Sequence, residues 1–233
     1  MHELGTIPSV NNSAWTIPLF PVETVLFPHT GLPLRIFEPR YREMVMYCIE
    51  QDSPFGVVSI RKGSAIGDPN VEPHEIGTLA RVGRMRRQPD GVIHLIALGE
   101  ERFQIVRLIR DEAPYLKAQV RLWRDSEPFD WEEQQRYADE VAEQFRKFLR
   151  LALDISGLRA DEIELPRNPT TLSFVIASTL QLEIPLRQYL LELQDTMERL
   201  RLLRQMLEHL THALETEIQP FNPEHWRDYV NRN

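Results

Sequence analysis

Ile17-Pro-Leu-Phe-Pro-Val-Glu-Thr-Val-Leu-Phe-Pro-His-Thr-Gly-Leu-Pro-Leu-Arg-Ile-Phe-Glu-Pro-Arg-Tyr41 is rich in strand-forming residues, yet a proline or glycine interrupts it every few positions. Proline cannot donate to a sheet ladder, so it is confined to edges, strand starts and bulges. Strands cut at Pro18, Pro21, Pro28 and Pro33 are expected to bend sharply between short pairings. That suits a small, strongly curled sheet or pseudo-barrel, not a flat open sheet.

The same texture continues to Trp123. Ile17–Phe20, Val25–Phe27, Leu32–Ile36, Phe55–Ile60, Gly77–Met85, Val92–Leu98, Phe103–Ile109 and Leu116–Trp123 read as short strands bounded by Pro, Gly and Asp. Gln88-Pro-Asp-Gly91 is the strongest turn signal, since proline presets φ and Asp-Gly supplies the positive φ of a hairpin. Strand 79–87 is therefore expected to pair antiparallel with 92–98. One helix interrupts the strands. Pro39 suits its first position, and Tyr41, Met44, Val45, Cys48 and Ile49 recur at helical spacing.

Beyond residue 124 the periodicity changes. Asp130 with Glu133 forms a capping-box pattern, followed by Tyr137, Val141, Phe145, Phe148, Leu149 and Ala152 on one stripe. Asn168-Pro169 opens a second helix with Leu172, Val175, Ile176, Thr179 and Leu180 on its face. Pro185 opens a third, with Leu186, Leu190 and Leu191. Asp195 and Glu198 cap a long helix whose inward residues are expected to be Met197, Leu200, Leu203, Leu207, Leu210, Leu214 and Ile218. The charge divides at the same place. Fourteen basic and fourteen acidic residues lie up to Trp123; thirteen basic and twenty-one acidic lie from Arg124 onward, supplying the whole net charge of −8. The fold class expected is α+β: a β pseudo-barrel at 15–124 and an α-helical bundle at 125–219, with a flexible arm at 1–14 and a tail at 220–233.

An acidic chain is a poor general nucleic-acid binder, because phosphate affinity comes mostly from Lys and Arg. Cys48 is the only cysteine, so no disulfide can form within the chain, and a reducing, cytoplasmic compartment is expected. Residues 1–15 hold no Lys or Arg and no apolar run of the secretory kind. The uncharged stretch Asn168–Leu182 is too short and polar to span a bilayer.

The catalytic patterns are missing. A phosphate-binding loop needs Gly-x4-Gly-Lys-Ser/Thr, and none of the three lysines, Lys62, Lys117 and Lys147, follows a glycine after a strand. There is no Gly-x-Ser-x-Gly elbow, and no lysine in a setting suited to a Ser–Lys pair. Cys48 sits among apolar neighbours, the setting of an inert buried thiol. His209 and His212 lie three apart on the long helix but off its leucine face, and His-Glu-x-x-His is absent, so no metal site is expected. A hydrolase built on His29 or His74 would lack a nucleophile–base pattern. No cofactor is expected.

Arg84 and Arg86 share one strand face by period two, Arg81 and Arg87 the other. A curled sheet bearing a basic patch can bind RNA, yet no stacking aromatics interleave with these arginines. The simpler reading has them solvate a sheet edge and pair with Asp90, Glu100 and Glu101.

Ile17-Pro-Leu-Phe-Pro-Val, Phe27-Pro and Leu32-Pro-Leu-Arg-Ile-Phe-Glu-Pro-Arg-Tyr41 together resemble the start of the Lon protease N-terminal, or substrate-binding, domain. Ile76-Gly-Thr-Leu-Ala-Arg-Val82 looks like its next strand, and Asp90-Gly91 with Leu98-Gly-Glu-Glu-Arg102-Phe like the following hairpin and Gly-x-x-Arg corner. Leu180–Pro185 and Leu190-Leu-Glu-Leu-Gln-Asp with Arg199-Leu are similar to the helices after the barrel. The resemblance covers roughly residues 15–217. It implies a PUA-like pseudo-barrel followed by a helical bundle, a region that in the full protease helps to hold substrates and supports hexamer assembly. The Walker motifs and the Ser–Lys domain of that protease have no counterpart in this chain.

The function expected is therefore non-catalytic. A module of this kind binds unfolded or flexible protein segments, or a protein partner, in an apolar groove lined by Phe27, His29, Leu32 and Phe37, with Met85 on the hairpin. The alternative is a PUA-like RNA-binding module using Arg84, Arg86 and Arg87. Glu38, Arg40 and Arg102 are expected to hold the barrel together through ion pairs. Self-association through the C-terminal helices remains open, and no membrane contact is expected.

Overall fold

The computed structural model describes residues 14–68, 70–158 and 162–218. The expected arm, except residue 14, and the expected tail lie outside them. Seven strands form one sheet among the described residues: β1 (Trp15–Val22), β2 (Gly31–Ile36), β3 (Phe55–Lys62), β4 (Glu72–Pro73), β5 (Ile76–Arg87), β6 (Ile93–Ile109) and β7 (Lys117–Leu122). Helix α1 (Pro39–Glu50) interrupts them, and α2 (Trp131–Ile155), α3 (Pro169–Thr179), α4 (Ile184–Glu192) and α5 (Thr196–Ile218) follow. The class is α+β, a β pseudo-barrel followed by a helical bundle.

The barrel closes because β1 changes partner halfway along. Trp15–Pro18 pairs antiparallel with β7, and Leu19–Val22 pairs parallel with β3. The ring then runs β1-β7-β6-β5-β3 and returns to β1. Pro18 and Pro21 do not break β1, contrary to the expectation of short interrupted runs. Each half of the strand bonds along one edge only, so a proline can sit where no donor is required. The Val25–Phe27 run, by contrast, is irregular chain rather than a strand.

Two expected strands are one. Val92–Leu98 and Phe103–Ile109 both belong to β6, which continues through Gly99 and Arg102. The register with β5 slips between Thr78↔Arg102 and Ala80↔Gly99, a bulge that bends β6 without ending it. Its second half closes the barrel against β7, and its first half leaves the barrel as the centre of a ribbon between β2 and the end of β5. The hairpin signal holds. Gly91 has φ 83° and its N–H bonds to the Gln88 carbonyl at 2.9 Å, with Arg87 opposite Ile93.

Among the described residues, three apolar clusters hold the molecule. Ile17, Leu19, Leu79, Phe103 and Val120 fill the barrel. The Phe103 ring fits because Gly56 faces it bare: a Cβ there would come within 2.6 Å of the ring. Tyr41, Met44, Val45 and Cys48 of α1 pack on Phe20, Phe55, Leu95 and Ala97, so α1 covers the outside of the barrel and the underside of the ribbon. Ile49, expected on that face, is instead 39% exposed.

The third cluster is the bundle with Val25, Phe27 and Ile76 of the barrel half built into it. The caps read from sequence are present. Asp130 accepts from the Glu133 N–H and Asn168 from the Thr171 N–H, both at 2.9 Å, and Asp195 accepts from the Met197 and Glu198 N–H groups. Leu200, Leu203 and Leu207 are buried, but Leu210 turns outward and Thr211 takes the inward position.

A polar seam joins the two halves. The Arg102 guanidinium donates to the Leu191 and Leu193 carbonyls at the end of α4 and to the Asp125 carboxylate. Arg199 reaches the same carboxylate at 2.7 Å. The Trp123 indole N–H donates to the Glu192 carbonyl at 3.0 Å, and the Gln188 amide to the Ile76 carbonyl at 3.1 Å. Arg102 thus ties the barrel to the bundle, where sequence reading placed it within the barrel. Among the described residues, Glu38 and Arg40 form an ion pair only with each other, at 2.9 Å.

Candidate functional site

The ribbon is where side chains capable of recognition meet. Period-two alternation divides its residues between two faces. Leu32, Leu34, Ile36, Ile93, Leu95 and Ala97 face α1 and belong to or pack on its core. The opposite face carries Pro33 and Arg35 of β2 and His94, Ile96 and Leu98 of β6, with Pro33 opposite Ile96 and Arg35 opposite His94. On β5, a bulge between Val82 and Met85 breaks the alternation, and Arg84 and Arg86 join this outer face. Gly31 and Gly83 flank β6 there. A Cβ on Gly83 would lie 3.0 Å from the Leu98 side chain, so the glycines let Ile96 and Leu98 lie low across the ribbon.

The result is a depression of ≈ 400 Å³ with an apolar floor at Pro33 and Ile96 and a rim of Arg35, Arg84, Arg86 and His94. Leu98 continues the floor and is 48% exposed. The basic rim lacks neutralising partners. Among the described residues, Arg81 is paired with Glu100 at 2.9 Å and Asp52 at 3.0 Å, but Arg35, Arg84, Arg86 and Arg87 have no carboxylate within salt-bridge distance. The expected pairing of the arginine cluster with Asp90, Glu100 and Glu101 is thus met only by Arg81 with Glu100.

The five residues expected to line one groove are not brought together. Phe27 has no exposed surface; it packs on Phe174 at 6.1 Å between ring centres, beneath the Arg187 guanidinium. That is a correction: it anchors the barrel to the bundle and offers nothing to a ligand. His29 is exposed in the turn before β2, at φ 62°, a region histidine enters more readily than most residues. Leu32 packs half-buried on the α1 side of the ribbon. Phe37 follows β2 at its far end, 40% exposed, with the Arg35 guanidinium 5.6 Å from its ring centre. Met85 is 42% exposed and lines the depression. Of the alternative set, Arg84 and Arg86 line it and Arg87 continues along the exposed strand beside it.

Pro33, Arg35, His94, Ile96 and Leu98 were not singled out from sequence, though a signal existed. Ile93-His-Leu-Ile-Ala-Leu98 is apolar on both faces of a strand whose inner face alone meets the core.

Elsewhere the reactive groups are occupied structurally. Burial pushes the Cys48 thiol up to about 11, and the nearby Ser53 side chain offsets this only in part. His74 lies 3.7 Å from Glu192 at the seam. His209 and His212 are exposed on α5, and the His209 Nδ1 sits 2.7 Å from the Gln205 carbonyl. Among the described residues, no group of three or more His, Cys, Asp or Glu is arranged to hold a metal ion, and no helix is long and apolar enough to cross a membrane.

This architecture has known relatives. The solved Lon N-terminal domain protein from Xanthomonas campestris superposes with a TM-score of 0.60 at 26% identity, covering 81% of this chain and 96% of that one. The N-terminal domain of the Mycobacterium avium complex Lon protease shares the fold, with a TM-score of 0.60 at 19% identity, over 83% of this chain and 98% of that one. Lon protease 2 from Herpetosiphon aurantiacus is 30% identical over 93% of this chain, and Lon protease from Cytophaga hutchinsonii 27% identical over 93%. The chain spans only 27% of the length of either protease. The family model of the ATP-dependent protease La (LON) substrate-binding domain matches residues 16–209, and the chain belongs to that family.

Proposed function

We propose that the chain is a binding module that captures extended segments of other proteins on the outer face of the ribbon and performs no chemistry on them. The observation that carries this reading is the apolar floor of Pro33 and half-buried Ile96 in a depression rimmed by arginines, continued beside it by exposed Leu98. Exposed apolar surface in a concave, polar-rimmed setting suits a protein ligand. The ribbon also offers backbone. Among the described residues, β5 past Ala80 bonds only to β6, and β2 bonds only to β6, so both outer edges offer N–H and C=O groups to which a segment can add as a further strand.

The test is fluorescence anisotropy of a labelled, reduced and carboxymethylated model protein titrated with the chain in the absence of ATP. Saturable binding in the micromolar range is expected, and the pair Ile96→Ser with Leu98→Ser abolishes it while the far-ultraviolet spectrum is kept. Absence of binding by the unaltered chain overturns the reading. Hydrolysis of ATP or cleavage of the model protein by the purified chain overturns its non-catalytic half.

A further inference from the structure

We infer that the ribbon selects among unfolded segments, preferring those whose apolar residues are flanked by Asp and Glu; the inference rests on the binding face proposed above. The three ribbon stretches, 31–36, 82–87 and 93–98, contain four arginines and no carboxylate, in a chain of net charge −8. Some arginines elsewhere are neutralised in place, Arg40 by Glu38, Arg61 by Glu72, Arg146 by Glu143 and Arg204 by Glu140 and Glu208, and others, such as Arg42 and Arg121, hydrogen-bond to neutral oxygens; the ribbon gathers four arginines on three adjacent strand segments that hold no carboxylate. The division falls at the mouth of the ribbon. Arg81, opposite Leu98, is held by Asp52 and Glu100, and the next arginines along β5 have no partner among the described residues.

An apolar floor by itself would accept any greasy segment. The rim decides which flanks are tolerated. A carboxylate beside the apolar core of a segment meets Arg35, Arg84 or Arg86, and an ammonium there meets only like charge. Each exposed pair changes affinity by about 1.5- to 5-fold, so two or three pairs together give about tenfold between acidic and basic flanks. Edge arginines also serve to keep a free strand from pairing with strays. That role alone gives no preference between acidic and neutral flanks. A nucleic acid would satisfy the arginines, but the floor between them is aliphatic; the nearby rings, His94 on the rim and Phe37 beyond Arg35, do not form a run of stacking platforms along it.

The experiment compares three labelled peptides with the same Leu/Phe core and flanks of Asp/Glu, Gln/Ser or Lys, beside an oligouridine of equal length, by anisotropy at low and high salt. The expected order is acidic, neutral, basic, spread over about tenfold and narrowing as salt screens the rim. Arg84→Glu with Arg86→Glu reverses the order. Both side chains are exposed and without ion pairs, so the variant folds as the parent does, which a thermal melt checks. Equal binding of the three peptides, or an order that the variant leaves intact, overturns the preference and leaves the binding face standing. Failure of all three peptides to bind overturns the face itself. Oligouridine binding more tightly than the acidic peptide assigns the rim to nucleic acid and overturns the inference.

Discussion

Arg199 of the last helix pairs at 2.7 Å with Asp125, the residue that follows the barrel by only a few positions. Arg102 of β6 closes on the other carboxylate oxygen from the barrel side. The two guanidiniums are 0% and 3% exposed, so one carboxylate answers two buried cations. The excess charge is met by the α4 terminal carbonyls, where the helix dipole is negative, and by the Phe174 ring, 4.0 Å from Arg199 and 5.2 Å from Arg102. Desolvation still pulls Arg102 down to about 10, which leaves it charged at neutral pH. Asp125→Ala is expected to cost about 3–5 kcal/mol in urea unfolding, because it strands both cations. Arg199→Met leaves the Arg102–Asp125 pair intact and costs less. A loss below about 1 kcal/mol for Asp125→Ala would show that the carboxylate does not hold the seam.

Phe27→Leu separates anchoring from ligand contact. The ring is enclosed by Phe174, Arg187 and the bundle core. The smaller side chain is expected to lower stability by about 1–2 kcal/mol through imperfect packing. Affinity for an unfolded protein should stay within about twofold, since such a difference is only a few tenths of a kcal/mol. A large loss of affinity at unchanged stability would place Phe27 in the binding site after all.

These residues also show what the sequence disclosed. Caps, the Pro-Asp-Gly hairpin and the helical stripes were legible because each depends on chemistry within a few residues: Asp130 with Glu133, Asn168 with Thr171, Gln88 with Gly91. The closure of the barrel was legible only as curvature. That β1 exchanges β7 for β3 at Leu19 depends on partners far along the chain. The candidate site was half legible. Met85, Arg84 and Arg86 could be placed on an exposed hairpin, but Phe27 and Leu32 carry the same apolar signal as Ile96 and Leu98. Which of them faces a core depends on α1 and the bundle, whose docking no local pattern encodes.

Cys48 makes stability fall in alkali. Burial raises the thiol from 9.0 to about 11 in the folded chain. Below about 9 both states keep the proton and the thiol contributes no slope. Between about 9 and about 11 the unfolded chain releases a proton that the folded chain retains, so stability declines as pH rises. The decline attributable to this group is at most about 3 kcal/mol. Comparing urea midpoints of the parent and Cys48→Ala across that window isolates it. The parent's advantage should shrink as pH increases, and a constant difference would mean that the thiol titrates alike in both states.

Gly99→Ala tests the loop that connects ribbon, barrel and bundle. Gly99 exchanges hydrogen bonds with the turn before β2, its carbonyl accepting from the His29 N–H and its N–H donating to the Thr30 carbonyl, both at 2.9 Å. A Cβ there would stand 2.4 Å from the Phe27 carbonyl oxygen, which is backbone and cannot swing aside. Residues 27–30 must move outward, and Phe27 moves with them out of the bundle core. The expected cost is about 1–3 kcal/mol or more. Gly67→Ala supplies the comparison, because nothing lies within 4 Å of its added methyl and only the φ of +69° opposes it, at about 1–2 kcal/mol. Only Gly99→Ala should disturb the environment of Trp123, whose indole is tied to Glu192 across the seam. Tryptophan fluorescence of the folded variants, in a background where Trp15, Trp131 and Trp226 are replaced by Phe, reads this directly, and an unshifted spectrum for Gly99→Ala would sever the link between the turn and the seam.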